Sequence, residues 1–244
     1  MKRSSVWDSA LAPFHHLTIA QGQVAYAHNL LQETFFNLFV LTMNLERPPM
    51  SHAQKAKFYP YSLAMWHVLQ NDRQQRQLAI AAIENLPTTL DIKGGIARLK
   101  WAQKQANTLA DYRNLIVHAP MKFSWGFKDD KLTPPFAQIG GFSTKPSHTK
   151  QLRLIKSPRF WKALRNDLLN LNDYIDFVTR QIAWREYERQ NGAAVLGALH
   201  SWPRKPRLPC VRRIEMMRMT INRQAGQAPS RGRRRRPSGG RPPK

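Results

Sequence analysis

The feature that constrains this chain most is a seam of apolar residues near its last third: Trp161, Leu164, Leu168, Leu171, Ile175, Val178 and Ile182. The spacings alternate between three and four without a break over three heptads. That period belongs to one face of an α-helix and to no β-strand. Ser157 stands where it can cap such a helix, and Pro158 suits the first turn because its missing N–H would have no intrahelical acceptor. A face of this kind has to be covered by other helices, from the same chain or from a second copy.

Other segments repeat the pattern. Val24, Ala27, Leu31, Phe35, Leu38, Leu41 and Leu45 mark one face of a helix over 17–45, which Pro48 and Pro49 end. A shorter helix is expected over about 60–70, with Pro60 at its start. A third is expected over 72–86, stopped by Pro87. After a turn at 91–95 that includes Gly94 and Gly95, a fourth runs from Ile96 through Leu99, Ala102, Ala106, Leu109, position 113 and Ile116, and ends before Pro120. Then the period changes. Met121, Phe123, Trp125 and Phe127 alternate with Lys122, Ser124, Gly126 and Lys128, which reads as a strand. The sequence therefore predicts a mainly α protein: an antiparallel helix bundle over 15–190 with a small β insertion at about 121–156. A disordered basic tail is expected over 191–244.

Charge bears on the partner. The net charge is +24. The tail holds 14 basic residues against the single acid Glu215 and so carries +13 of that total, which leaves the body basic as well. Such a chain favours a polyanion, nucleic acid above all. In the tail, Arg233, Arg234, Arg235 and Arg236 sit among glycine and proline, a composition suited to phosphate contacts that do not read sequence. Cys210 is the one cysteine, so no intramolecular disulfide is possible, and a reducing cytoplasm is the expected location. The first twenty residues lack a continuous apolar run, and the apolar stretch 35–43 is too short to span a bilayer. No secretory signal and no membrane partner are expected.

The stretch "DYRNLIVHAP" (111–120) carries the candidate chemistry. The spacing Arg-x4-His also occurs at Arg47 and His52, but paired prolines forbid a helix there. Arg113 is expected on the apolar stripe of its helix, where a guanidinium needs an anionic or hydrogen-bonding partner. Asp111, Asn114 and His118 fall within about 60° of arc at 100° per residue, a polar strip on one face. Asp111 is the expected orienting carboxylate for the imidazole. Tyr112 is an aromatic surface on which an RNA base is expected to stack. The remaining histidines have no metal-ligand spacing, and no phosphate-binding glycine loop occurs, so neither a metal nor a cofactor is expected.

"YRNLIVH" resembles the R-N-x-x-x-H form of the HEPN signature, that of the higher eukaryotes and prokaryotes nucleotide-binding superfamily. The resemblance covers roughly residues 15–190. It implies an all-α bundle that pairs as a homodimer, and a metal-independent endoribonuclease. In that reading Arg113 steadies the phosphate, Asn114 orients it, and His118 moves the proton of a ribose 2′-hydroxyl. It also implies a toxin or defence role, with an antitoxin as a partner. The alternative is a non-catalytic nucleic-acid-binding helical adaptor that uses the basic tail.

Overall fold

The computed structural model describes residues 4–45, 52–86, 92–118, 121–124, 127–128, 131–132, 136–139, 155, 157–191 and 201–226. The chain divides into two compact units, Met1–Val211 and Arg212–Lys244. The fold is mainly helical, with helices α1 Ser4–Leu45, α2 His52–Val68, α3 Asp72–Glu84, α4 Lys93–Val117, α5 Pro158–Asn191 and α6 Pro209–Gly226. None of the described helices is long and apolar enough to cross a membrane.

The seam that opened the sequence is the core of the first unit. All seven of its residues are buried on α5, where α1 and α4 cover them. On α1, Val24, Ala27, Leu31, Phe35 and Leu38 are buried. On α4 the buried stripe is Leu99, Ala102, Ala106, Leu109, Tyr112 and Ile116. Side-chain pairs fix the helix directions. Trp101 meets Tyr174 and Tyr112 meets Phe160, so α4 runs against α5. Arg76 meets Asn107 and Glu84 meets Lys100, so α4 runs against α3 as well. Gln23 meets Arg165 and Thr34 meets Asn172, so α1 and α5 run in the same sense. The expected all-antiparallel bundle is corrected on this point. Three helices and the 121–156 segment separate α1 from α5 in the chain, which is length enough to return the chain for a parallel pair.

Three helix boundaries differ from expectation. The helix expected over 17–45 begins at Ser4. Pro60 lies inside α2, not at its start. Phe36 and Phe39 of α1 hold that helix through Tyr59 and Trp66, with ring centroids 5.5–5.9 Å apart. Gly94 and Gly95 belong to the first turn of α4 instead of a turn before it. In the 121–156 segment, Met121–Ser124 pairs antiparallel with Phe136–Ile139, and Phe127–Lys128 with Lys131–Leu132. The rest of that segment, apart from Ile155, lies outside the described residues.

The expectation of a disordered tail from residue 191 is overturned for 201–226. Arg212–Gly226 is helical, and 201–211 packs within the first unit. The Trp202 ring packs against the two glycines of α4. A Cβ on Gly94 would come 2.7 Å from Trp202 Cδ1, and one on Gly95 2.6 Å from Cη2. Only glycine permits that approach. Arg185 covers the ring at 4.4 Å from its centroid. Arg98 Nε donates to Pro203 O (3.2 Å) and Gln181 Nε2 to Ser201 O (3.1 Å). Residues 192–200 and 227–244, with Arg233 to Arg236 among them, lie outside the described residues.

Asp167 of α5 completes this attachment. Its Oδ2 accepts the N–H groups of Cys210 (2.8 Å) and Val211 (3.2 Å) at the start of α6, where a carboxylate satisfies orphan donors. Burial pushes the carboxyl up from an ordinary 3.8 to about 6, against the pull of those two N–H groups. A raised folded value means the fold prefers the protonated acid. That contribution is full below the ordinary carboxylate range and is lost as pH rises through about 6; a shift of this size is on the order of 3 kcal/mol. Asp167→Asn keeps an acceptor oxygen and never ionises. Thermal unfolding at pH 8 is expected to find it at least as stable as wild type, with the variant's advantage shrinking towards pH 4. A variant markedly less stable at pH 8 would show that the ionised carboxylate is what the fold requires.

Candidate nucleic-acid interface

The C-terminal half of α4 presents alternate residues to core and solvent. Tyr112 takes the slot between Leu109 and Ile116 that the sequence assigned to position 113. It is fully buried, and its ring packs on Phe160 with centroids 5.7 Å apart. The expected base-stacking role of Tyr112 is therefore corrected: a ring with no exposed face offers nothing to a base. Spacings of three and four both fit a helix face, and the aromatic side chain fills that space while the guanidinium does not.

Displaced from the stripe, Arg113 is half-buried at the wall of a cleft. Its Nη1 donates to Asn114 Oδ1 at 2.8 Å. The cleft has a volume of about 290 Å³ and lies where the start of α3 faces α4. From α4 it receives Asn107, Ala110, Asp111, Arg113 and Asn114; from the α2–α3 junction, Gln70, Asn71, Asp72, Arg73 and Arg76. Three guanidiniums thus meet two carboxylates. Asn71 caps α3, its side chain accepting from Gln74 N–H, and Asp72 opens the helix.

Beneath the cleft lies His28 of α1, 1% exposed, with Nε2 3.5 Å from Asp72 Oδ2. Burial, then the charges of Arg113 and Arg76, hold its pKa down to about 4, with Asp72 opposing. The ring is neutral at physiological pH, held so by burial first and by the neighbouring guanidiniums second.

His118 stands elsewhere. It is the exposed C-cap of α4, and its N–H donates to Asn114 O at 3.1 Å. Gln21 of α1 donates through Nε2 to the carbonyls of Ile116 (2.9 Å) and Val117 (2.8 Å). This fixes the last turn of α4 and the backbone that carries the imidazole. Of the expected site residues, Asp111, Arg113 and Asn114 share the cleft, whereas His118, beyond them at the C-cap of α4, does not line it.

Arg73, Arg76, Asn107 and His28 did not figure among the candidates. A signal for Arg76 was present. It falls in register with Ala79, Ile80 and Ile83 on the buried face of α3, an arginine in an apolar stripe. Among the described residues no group of three or more His, Cys, Asp or Glu side chains gathers as metal ligands would. Comparison with protein-family models, with curated proteins and with solved structures finds no match for the chain.

Proposed function

We propose that this chain is an RNA-binding protein of HEPN type and a metal-independent endoribonuclease, with Arg113 meeting the phosphate and His118 moving the proton. The observation that carries the reading is the convergence of Arg113 and Asn114 of the R-N-x-x-x-H stretch with Arg73 and Arg76 in one cleft. Guanidiniums suit phosphate because their planar forks bond two oxygens at once and cannot lose their charge. The net charge of +24 draws the polyanion to the surface, and Arg233 to Arg236 add contacts that do not depend on sequence.

In the proposed reaction an imidazole takes the proton of a ribose 2′-hydroxyl, which attacks the adjacent phosphorus. The 5′-oxygen leaves and is protonated, and a 2′,3′-cyclic phosphate remains. Arg113 neutralises charge on the non-bridging oxygens, and Asn114 orients them. Because His118 does not line the cleft that holds Arg113, the working pair in this proposal comes from two copies: Arg113 of one and His118 of its partner. A toxin or defence role, held in check by an antitoxin, fits such an activity. The alternative is a non-catalytic adaptor. The observation that favours it is the place of His118 outside the cleft.

Incubation of the full chain with RNA in EDTA separates the two. Wild type is expected to cut, and His118→Ala to be slower by 10²-fold or more, the range for loss of a general acid–base group. Equal rates for the two proteins would leave only the adaptor.

A further inference from the structure

The α3 side of the cleft holds a feature that the Arg113–His118 chemistry does not use. Arg76 is 1% exposed. Its Nε donates to Asn107 Oδ1 at 2.9 Å, while Nη1 has no hydrogen-bond partner among the described residues. Burial lowers its pKa from 12.5 to about 10, which still leaves it charged at any physiological pH. A buried guanidinium with an unused donor is costly unless an acceptor arrives. The first turn of α3 opens onto the same space, and by helix geometry its leading N–H groups lack intrahelical acceptors. Asn71 takes up only that of Gln74. Buried donor and helix N-terminus together describe an anion site.

The lining says which anion. Among the described residues, Ala110 is its one apolar residue and no aromatic ring lines it. A base has nothing to stack on there, so the cleft suits phosphate and ribose and not a nucleobase. At ~30 Å³ per water, the volume of about 290 Å³ exceeds what one phosphate fills. Asp72 and Asp111 face the same space and offset part of the charge of Arg76, but three guanidiniums outnumber the two acids.

We infer that the end of the cleft formed by Arg73, Arg76 and the first turn of α3 is a second phosphate subsite. It holds the backbone phosphate next to the one at Arg113 and reads no base. This rests on the proposal that RNA is the ligand, and the subsite sets the register in which the strand enters.

The test is binding of a short single-stranded RNA to the full chain across a salt series. Arg73 is exposed, so Arg73→Ala leaves the core untouched. Each phosphate contact on a single strand contributes a slope of roughly 0.7 in log K against log salt. Arg73→Ala is expected to weaken binding about tenfold and to flatten the slope by about that amount, with the tail contributing equally to both proteins. Inorganic phosphate is expected to raise the melting temperature of wild type and to leave that of an Arg73→Ala/Arg76→Lys variant unmoved. An unchanged salt slope in Arg73→Ala overturns the subsite, even where Arg113→Ala abolishes cleavage and the proposed function stands. If RNA does not bind but phosphate still protects wild type alone, the anion site stands and RNA as its ligand falls. Equal protection of both proteins, or of neither, removes the site.

Discussion

An equimolar mixture of Arg113→Ala and His118→Ala proteins is expected to cleave RNA although neither variant does so alone. The expectation follows from the cleft, which Arg113 lines and His118 does not. If each reacting centre takes its arginine from one copy and its histidine from another, the mixed dimer keeps one whole centre and loses the other. With random exchange, half the dimers are mixed, and the rate recovers to about a quarter of wild type. Each variant alone should be slower by 10²-fold or more. Single-turnover cleavage of a labelled RNA, before and after mixing, reads the effect. No recovery, with exchange of subunits verified by native mass spectrometry, means that the two residues do not act across copies.

Trp161→Ala is expected to be the most damaging single change to the fold. The ring is 2% exposed at the start of α5, and its Nε1 donates to Ile155 O at 2.5 Å. Truncating a buried tryptophan costs roughly 3–5 kcal/mol through lost transfer energy and the cavity left behind. The orphaned carbonyl of Ile155 adds about 1–3 kcal/mol. Against a typical stability of about 5–15 kcal/mol, the variant stands near the edge of folding. Trp161→Phe keeps most of the volume and loses the hydrogen bond, so it should cost far less. Urea unfolding followed by circular dichroism gives the comparison. Equal losses for Ala and Phe would mean that the hydrogen bond, not the packing, anchors this end of α5.

The core was legible where one helix face carries an unbroken period, except at the end of α1, where Leu41 and Leu45 of the expected face are only half-buried. All seven seam residues of α5 are buried, as are Val24, Ala27, Leu31, Phe35 and Leu38 of α1. Legibility failed where the deciding partner is remote in sequence. Gly94 and Gly95 read as a turn because nothing near them indicates Trp202, whose ring their missing side chains admit. Residues 201–211 read as tail because their composition is polar and proline-rich, while their attachment comes from Asp167, Gln181 and Arg98. At the site, the expectation of a guanidinium on an apolar stripe, in need of an anionic or hydrogen-bonding partner, fell on position 113. Arg76 satisfies it; at position 113 the stripe is closed by Tyr112. Period alone cannot choose between neighbours that both fit spacings of three and four.

In the proposed reading, RNA is received by the cleft of Arg73, Arg76 and Arg113 and is not merely held by the arginine run of the tail. Photocrosslinking of a single-stranded RNA containing 4-thiouridine to the full chain, with the adducts located by mass spectrometry, tests this most directly. Adducts are expected on peptides that span 70–76 and 107–118, and inorganic phosphate should suppress them. Adducts confined to 231–244, unchanged by phosphate, would contradict it.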